Sequence, residues 1–311
     1  MTITPVNTRD WTRMVIAVSG SSGLIGSALT GALEGRGHQI KRLVRRPARG
    51  ADEISWDPER GQLDARALDG VNAVVNLAGE SLTQRWSPGT RARIRSSRVN
   101  GTTILSRAIA AMPVKPRVML SGSAIGIYGS RGDAILDESS DLGDDFLANV
   151  AKAWEDATAP ASDAGIRVAH LRTGLVLARE GGLLAKMLLP FRLGLGGRLG
   201  DGHQWMSWIA LSDAVAALAF LLRADSVSGA VNLVAPNPVM NAEFTRTLAH
   251  VLGRPAVFPI SKFALTLLFG QMAEETALAS QRVRSRRLLE NGFKFKQPTL
   301  EKALRDAGLG H

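Results

Sequence analysis

The sequence predicts an α/β fold, a doubly wound parallel sheet with a small discontinuous C-terminal lobe. Three observations predict it. A short apolar run from Met14 to Val18 leads through Gly20, Gly23 and Gly26 into residues that are apolar at helical spacing. Strand-length apolar runs then alternate with helix-length segments, the pattern of a parallel sheet crossed over by helices. Beyond Arg179 the chain turns glycine-rich, in GGLL and GLGGRLGDG, which suits a loop-rich lobe over a cleft.

The elements follow in order. Leu24, Ile25, Ala28, Leu29, Ala32 and Leu33 make a helix that Gly35 and Gly37 stop. Strands are expected at Gln39 to Val44, Val71 to Leu77, Arg117 to Ser121 and Val168 to Val176. Leu147, Val150, Ala151 and Trp154 mark an amphipathic helix after Asp144 and Asp145. Val231 to Val234 and a helix from Ala242 to Leu252 come later, and the apolar stretch Phe263 to Phe269 is expected to pack as a helix. The division that results is an N-terminal arm over residues 1–13, a nucleotide-binding domain over 14–179, and a mixed region over 180–311 that holds a substrate lobe and returning sheet elements. Met14 stands directly before the first strand, so translation from Met14 is as compatible with the pattern as translation from Met1.

Composition narrows the function. At 311 residues, 45% hydrophobic and 21% charged, the chain can bury a sizeable core. It has no cysteine, which excludes disulfides, thiolate metal sites and cysteine nucleophiles. Its five histidines show neither metal-ligand spacing nor a Ser–His–acid pattern, so no metal is expected; His203, beside Gln204 and Trp205, is the one placed near a substrate. The net charge of +10 comes from arginines scattered along the chain, and no nucleic-acid partner is expected. No run reaches the roughly 18 apolar residues of a membrane span. A cytoplasmic protein acting on a small molecule, with a homodimer as a further expectation, fits these features.

The strongest local signal is Gly20-Ser21-Ser22-Gly23-Leu24-Ile25-Gly26, a GxxGxxG that opens a helix after a buried strand. Glycines there allow a tight turn and a close approach to a pyrophosphate, whose charge is met by the free N–H groups and dipole of the helix N-terminus. That is a dinucleotide site on a Rossmann-type sheet. An acid at the end of the second strand would bind an adenosine ribose 2′-hydroxyl; Arg45 and Arg46 stand there instead, and guanidinium groups suit the 2′-phosphate of NADP(H).

Further motifs follow in order: Asn76-Leu77-Ala78-Gly79-Glu80, Arg98-Val99-Asn100-Gly101-Thr102, Ser121-Gly122-Ser123-Ala124, Ile127-Tyr128-Gly129, and Trp208-Ile209 to Asp213-Ala214. With them the chain resembles the extended short-chain dehydrogenase/reductase superfamily, in its NAD-dependent epimerase/dehydratase branch. WDP at Trp56 to Pro58, LAGE, GLGG and GFKF are similar to its atypical nucleoside-diphosphate-sugar epimerase-like members, some of which carry the name cell-division inhibitor. The resemblance implies cofactor contacts from Leu77, Ala78, Gly79, Arg98, Lys152 and Leu175 besides the glycine loop. It also implies a Tyr-x-x-x-Lys pair, and this chain cannot have one: its single tyrosine is Tyr128, and Gly132 follows four residues later. Ser123 and Tyr128, then Ser121 and Glu80, remain as candidates for proton transfer. Two readings stay open: an NADP-dependent oxidoreductase or epimerase-like enzyme on a small carbonyl or hydroxyl substrate, and a non-catalytic NADPH sensor.

Overall fold

The structure is a computed structural model that describes residues 13–82 and 84–310; the arm expected over 1–13 lies, Arg13 apart, outside them. The run after Met14 forms β1 (Val15–Ser19), and the helical spacing beyond the glycines forms α1 (Leu24–Glu34). Next come β2 (Gln39–Val44), β3 (Glu53–Asp57), β4 (Gln62–Leu63), β5 (Ala73–Asn76), α2 (Pro88–Ala110), β6 (Val118–Ala124) and α3 (Phe146–Asp156). Strands Arg167–Thr173 and Gly229–Leu233 complete an eight-stranded sheet, ordered Gly229–Leu233, Arg167–Thr173, β6, β5, β1, β2, β3, β4. All pairings in it are parallel except β3 with β4.

Strand alternation divides the core between the two faces of the sheet. Ile16, Val18, Ala73, Val75, Val118 and Leu120 pack with α1 and helix Leu211–Leu221. Ala17, Val74 and Met119 pack with Leu105 and Ile109 of α2. Because both faces are covered, these strands read as continuous apolar runs. A separate core holds the lobe, where Leu184, Leu188 and Phe191 meet Trp208, Phe244, Leu248 and Leu304. Asp213 ties the returning C-terminal segment to helix Leu211–Leu221, its carboxylate accepting the backbone N–H groups of Lys296 and Gln297 at 2.8 Å each.

The structure departs from expectation in four places. β3 and β4 went unforeseen, because β3 is a half-buried strand with polar residues at both ends and an exposed Ser55 between Ile54 and Trp56. The expected strand Val168 to Val176 breaks at Gly174, where a Cβ would lie 2.6 Å from the Ser207 carbonyl oxygen; beyond it, Leu175–Leu177 pairs with Trp208–Ala210. The GGLL stretch opens a helix, Gly182–Arg192, rather than a loop. Phe263 to Phe269 is helical within Lys262–Phe269, but it buries only Leu265 and leaves Phe263 76% exposed.

One position gives a test of local energetics. Gly31 lies exposed inside α1, and a Cβ there would meet nothing within 4 Å. Gly31→Ala is expected to stabilise the fold by about 0.5–1 kcal/mol, since glycine loses more backbone entropy in a helix. Urea unfolding checks this; a lower midpoint would contradict it.

Candidate functional site

From β1 the chain runs outward through β2 to β3, then crosses back to β5 on the other side of β1. That reversal opens a crevice at the carboxyl ends of β1 and β5. A cavity of about 450 Å³ occupies it, and Gly20, Gly23, Leu24, Ile25 and Gly26 form part of its wall. Gly20 has φ +69°, and a Cβ there would come within 2.7 Å of the Leu77 carbonyl carbon. A Cβ on Gly26 would lie 2.1 Å from the Gly20 carbonyl oxygen, so the turn and the first turn of α1 are in direct backbone contact. Gly23 is the α1 N-cap, and no side chain caps it, whereas Ser87 caps α2 and Asp145 caps α3. The first N–H groups of α1 therefore remain available to an anion. Ser21 and Ser22 belong to the turn without lining the cavity.

The two arginines after β2 part company. The Arg46 guanidinium is held by the Glu53 carboxylate through Nη1–Oε2 at 2.7 Å and Nη2–Oε1 at 2.5 Å. Those bonds, with the Arg49 N–H, hold the Glu53 carboxyl down to about 2. Arg45 is exposed, beside the glycine turn because Ser19 of β1 is paired with Leu43 of β2. Of the pair, Arg46 fixes the loop and Arg45 is left exposed, and neither lines the cavity.

After β5, Leu77 lines the cavity while Ala78 packs its backbone against Gly20 and Gly79 lies under the Arg98 guanidinium. Arg98 lines the cavity too. Its Nη1 donates to the Ile94 carbonyl at 3.0 Å, its Nη2 to the Glu80 carbonyl at 3.0 Å, and its Cζ sits 5.1 Å from the Trp154 ring centroid. Burial lowers the pKa of this arginine to about 10, against the opposing pull of Glu80, and it has no carboxylate in ion-pair range among the described residues. Glu80 itself does not line the cavity; Gln84 Nε2 donates to its Oε1 at 3.2 Å.

The opposite wall is α3. Leu147, Val150, Ala151 and Trp154 face the cavity, and Lys152 is exposed outside it. One residue turns the helix by about 100°, so Lys152 follows Ala151 in sequence but points elsewhere, which corrects its assignment as a cofactor contact. Leu147 and Ala151, four residues apart on the cleft face, have the spacing of the missing Tyr and Lys. Trp154 lies across Gly122, where a Cβ would be 2.6 Å from the indole, and its Nε1 donates to Thr102 Oγ1 at 2.9 Å. Thr102 in turn accepts Asn76 Nδ2, and Ser19 donates to Asn76 Oδ1.

Ser123 lines the cavity floor and donates its hydroxyl proton to Glu155 Oε1 at 2.7 Å. Behind it lies a buried network that sequence reasoning missed. Arg172 grips Glu155 through Nε–Oε1 at 2.8 Å and Nη2–Oε2 at 2.9 Å, and its Nη1 donates to Tyr128 Oη at 3.0 Å. Burial pushes the Glu155 carboxyl up, but Arg172, Ser123 and His170 outweigh it, and the net shift is downward. Tyr128 is fully buried, donates to Asn232 Oδ1 at 2.7 Å, and does not line the cavity; desolvation raises its pKa. The phenol placed among the catalytic candidates is thus a core hydrogen-bonding group. Ser121 is buried as well, away from the cavity, its Oγ without a partner among the described residues. The signal for this network was in the sequence: a charged Arg172 inside an expected buried strand requires a buried partner.

Leu175 lines the cavity, joined by Thr173 at the end of its sheet strand and by Val176, Gly182 and Leu183 beyond it. His203 lies elsewhere, on a separate polar cavity of about 590 Å³ with Asp133, Asp201 and Lys262. No helix among the described residues is long and apolar enough to cross a membrane.

Comparison with known proteins agrees with this geometry. Residues 16–234 match the NAD dependent epimerase/dehydratase family, and residues 260–307 match a domain of unknown function, DUF1731. An epimerase family protein of Mycobacterium leprae is 43% identical over 94% of this chain and 95% of its own. A crystal structure of the human epimerase family protein SDR39U1 with NADPH superposes with a TM-score of 0.86 at 36% identity, covering 95% of this chain and 99% of that one. A nucleoside-diphosphate sugar epimerase structure from Corynebacterium glutamicum has a TM-score of 0.80 at 38% identity, covering 94% of this chain and 57% of that one. With its residues 16–234 matched and a relative 43% identical over 94% of its length, the chain belongs to the NAD-dependent epimerase/dehydratase family.

Proposed function

We propose that this protein is an NADP(H)-dependent oxidoreductase that acts on a small carbonyl or hydroxyl-bearing substrate without a Tyr-x-x-x-Lys pair. The observation that carries it is the cleft itself. The phosphate-binding turn continues without interruption into a wall of Leu147, Val150, Ala151, Trp154 and Leu175 beside Ser123, with room beyond the turn for a nicotinamide and its substrate. The fit to the cofactor rests on the bare backbone at Gly20, Gly23 and Gly26 and on the uncapped α1 N-terminus. Bound NADP(H) supplies or accepts a hydride. The chain's residues do the rest: α1 and the glycine turn receive the pyrophosphate, Arg45 the 2′-phosphate, and the apolar wall packs against the nicotinamide. The human relative solved with NADPH supports the choice of cofactor.

Losing a charge-assisted phosphate contact costs roughly 1.5–3 kcal/mol, about 10- to 150-fold in affinity. Arg45→Ala is therefore expected to weaken NADPH by that factor and leave NADH unchanged, as read by calorimetry. Equal loss for both cofactors would place Arg45 outside the 2′-phosphate contact.

The reading is tested by following NADPH oxidation against a panel of aldehydes, ketones, enones, quinones and sugar nucleotides, with Gly23→Val as the control. Gly23 is exposed at the mouth of the turn, its Cβ position 3.3 Å from the Gly20 carbonyl oxygen, so a side chain there obstructs the pyrophosphate. Turnover in the parent and none in the control supports the enzyme. Tight NADPH binding with no oxidation by any class would favour the sensor, the reading that the missing Tyr/Lys pair motivates.

A further inference from the structure

We propose that the cleft takes planar, conjugated acceptors of the quinone and enone class and leaves their protonation to water. The proposal rests on the preceding reading, in which the cleft binds NADPH and passes on a hydride.

Four polar side chains line the cavity, and neither hydroxyl among them has an uncommitted proton. Ser123 spends its only hydroxyl proton on Glu155 Oε1 at 2.7 Å. The Glu155 carboxyl, lowered by Arg172, is ionised and cannot replace that proton. Thr173 Oγ1 donates to the Leu171 carbonyl at 3.0 Å. Trp154 Nε1 donates to Thr102. Arg98, at about 10, keeps its charge and its proton through the neutral range. Behind these groups Tyr128 is sealed between Asn232 and Arg172, Lys152 is exposed outside the cavity, and His170, 3.7 Å from Glu155, is held neutral near pH 7 by burial.

The acceptor must therefore tolerate hydride addition without a proton arriving in the same step. An isolated ketone is the far poorer acceptor, because hydride addition leaves a localised alkoxide, a much stronger base than an enolate or hydroquinone anion, which needs a proton in the same step. An enone or quinone can do without it, because conjugation spreads the charge and the fixed Arg98 cation in the same cavity stabilises it. In the balanced reaction the acceptor gains a hydride, at the β-carbon of an enone or on a quinone, and then one proton from water. The saturated ketone or hydroquinone results, two electrons having passed from NADPH, which leaves as NADP⁺. Shape agrees with chemistry: the Trp154 indole packs against Gly122, and Leu147, Val150, Leu175 and Leu183 extend an apolar surface along the cavity.

Binding without turnover gives the first readout. Calorimetry on the full chain saturated with NADP⁺ is expected to detect menadione and 2-cyclohexen-1-one, and at least about 10-fold weaker binding of cyclohexanone. With NADPH, menadione is expected to be reduced at least about 100-fold faster than cyclohexanone. That rate should be flat between pH 6 and 9. The double variant Leu147→Tyr with Ala151→Lys restores a phenol and an amine at the cleft-facing spacing; it is expected to raise cyclohexanone reduction and to introduce a pH dependence the parent lacks. Comparable rates on saturated and conjugated carbonyls, or a bell-shaped profile in the parent, would overturn the proposal while leaving the oxidoreductase standing. Tight NADPH binding with no reduction of either class would overturn both.

Discussion

Arg172→Met is expected to destabilise the protein by about 3–5 kcal/mol, the scale for removing one partner of a buried ion pair. The side chains of Arg172 and Glu155 are only 7% and 11% exposed, so solvent screens them little. With Arg172 gone, the Glu155 carboxylate keeps the Ser123 hydroxyl and the His170 ring at 3.7 Å, and Tyr128 loses the donor to its oxygen. Burial lowers the His170 pKa, and it is neutral near pH 7, too weak a replacement for a guanidinium. Chemical denaturation should show the loss, and Arg172→Met with Glu155→Leu should recover much of it, because no unpaired charge then remains buried. The pH dependence has a definite sign. The Glu155 carboxyl titrates lower folded than unfolded, so its contribution is fully present above the unfolded value near 4.5 and disappears as pH falls through the folded value. Acid below about pH 4 should therefore narrow the gap between the parent and the double variant. A single variant within about 1 kcal/mol of the parent at pH 7 would mean that the pair does not hold this region together.

Gly26→Ala is expected to reduce NADPH affinity at least about 100-fold, near 2.7 kcal/mol. The new methyl would sit 2.1 Å from the Gly20 carbonyl oxygen and 2.9 Å from Ser21 Cα, and both are backbone atoms. Gly20 cannot retreat, since its own Cβ position is 2.7 to 2.8 Å from the Leu77 and Ala78 backbone. The turn must deform, and the Gly23 N–H to Gly20 carbonyl bond at 3.0 Å deforms with it. Because the same strain can lower stability, calorimetry is paired with a thermal scan, and Gly31→Ala serves as the harmless glycine-to-alanine change in the same helix. Undiminished affinity in a folded Gly26→Ala protein would mean that the cofactor phosphates do not rest on this turn.

The parts of the site that one short segment determines were legible in the sequence. Gly20, Gly23 and Gly26 are dictated by local backbone geometry, and β2 runs over the expected residues, Gln39 to Val44. Parts that depend on rotation or on distant partners were not. Lys152 misses the cleft because the helix face is set by Leu147, Val150, Ala151 and Trp154, one residue out of phase with the lysine. Tyr128, a proton-transfer candidate as the chain's single tyrosine, has its oxygen taken by Asn232, 104 residues away, and by Arg172. Arg45 and Arg46 were equivalent in the sequence and differ only because Glu53 lies on β3, the strand that the hydropathy pattern concealed.

A crystal structure with NADP⁺ bound is the most direct measurement. The nicotinamide is expected between Leu175 and the α3 face of Leu147 and Ala151, with the pyrophosphate on the Gly20–Gly26 turn and Arg45 at the 2′-phosphate. Ser123 should still donate to Glu155. A Tyr128 hydroxyl or a Lys152 amine swung to within about 3.2 Å of the nicotinamide ribose would restore the proton pair and contradict a cleft that moves hydride without one.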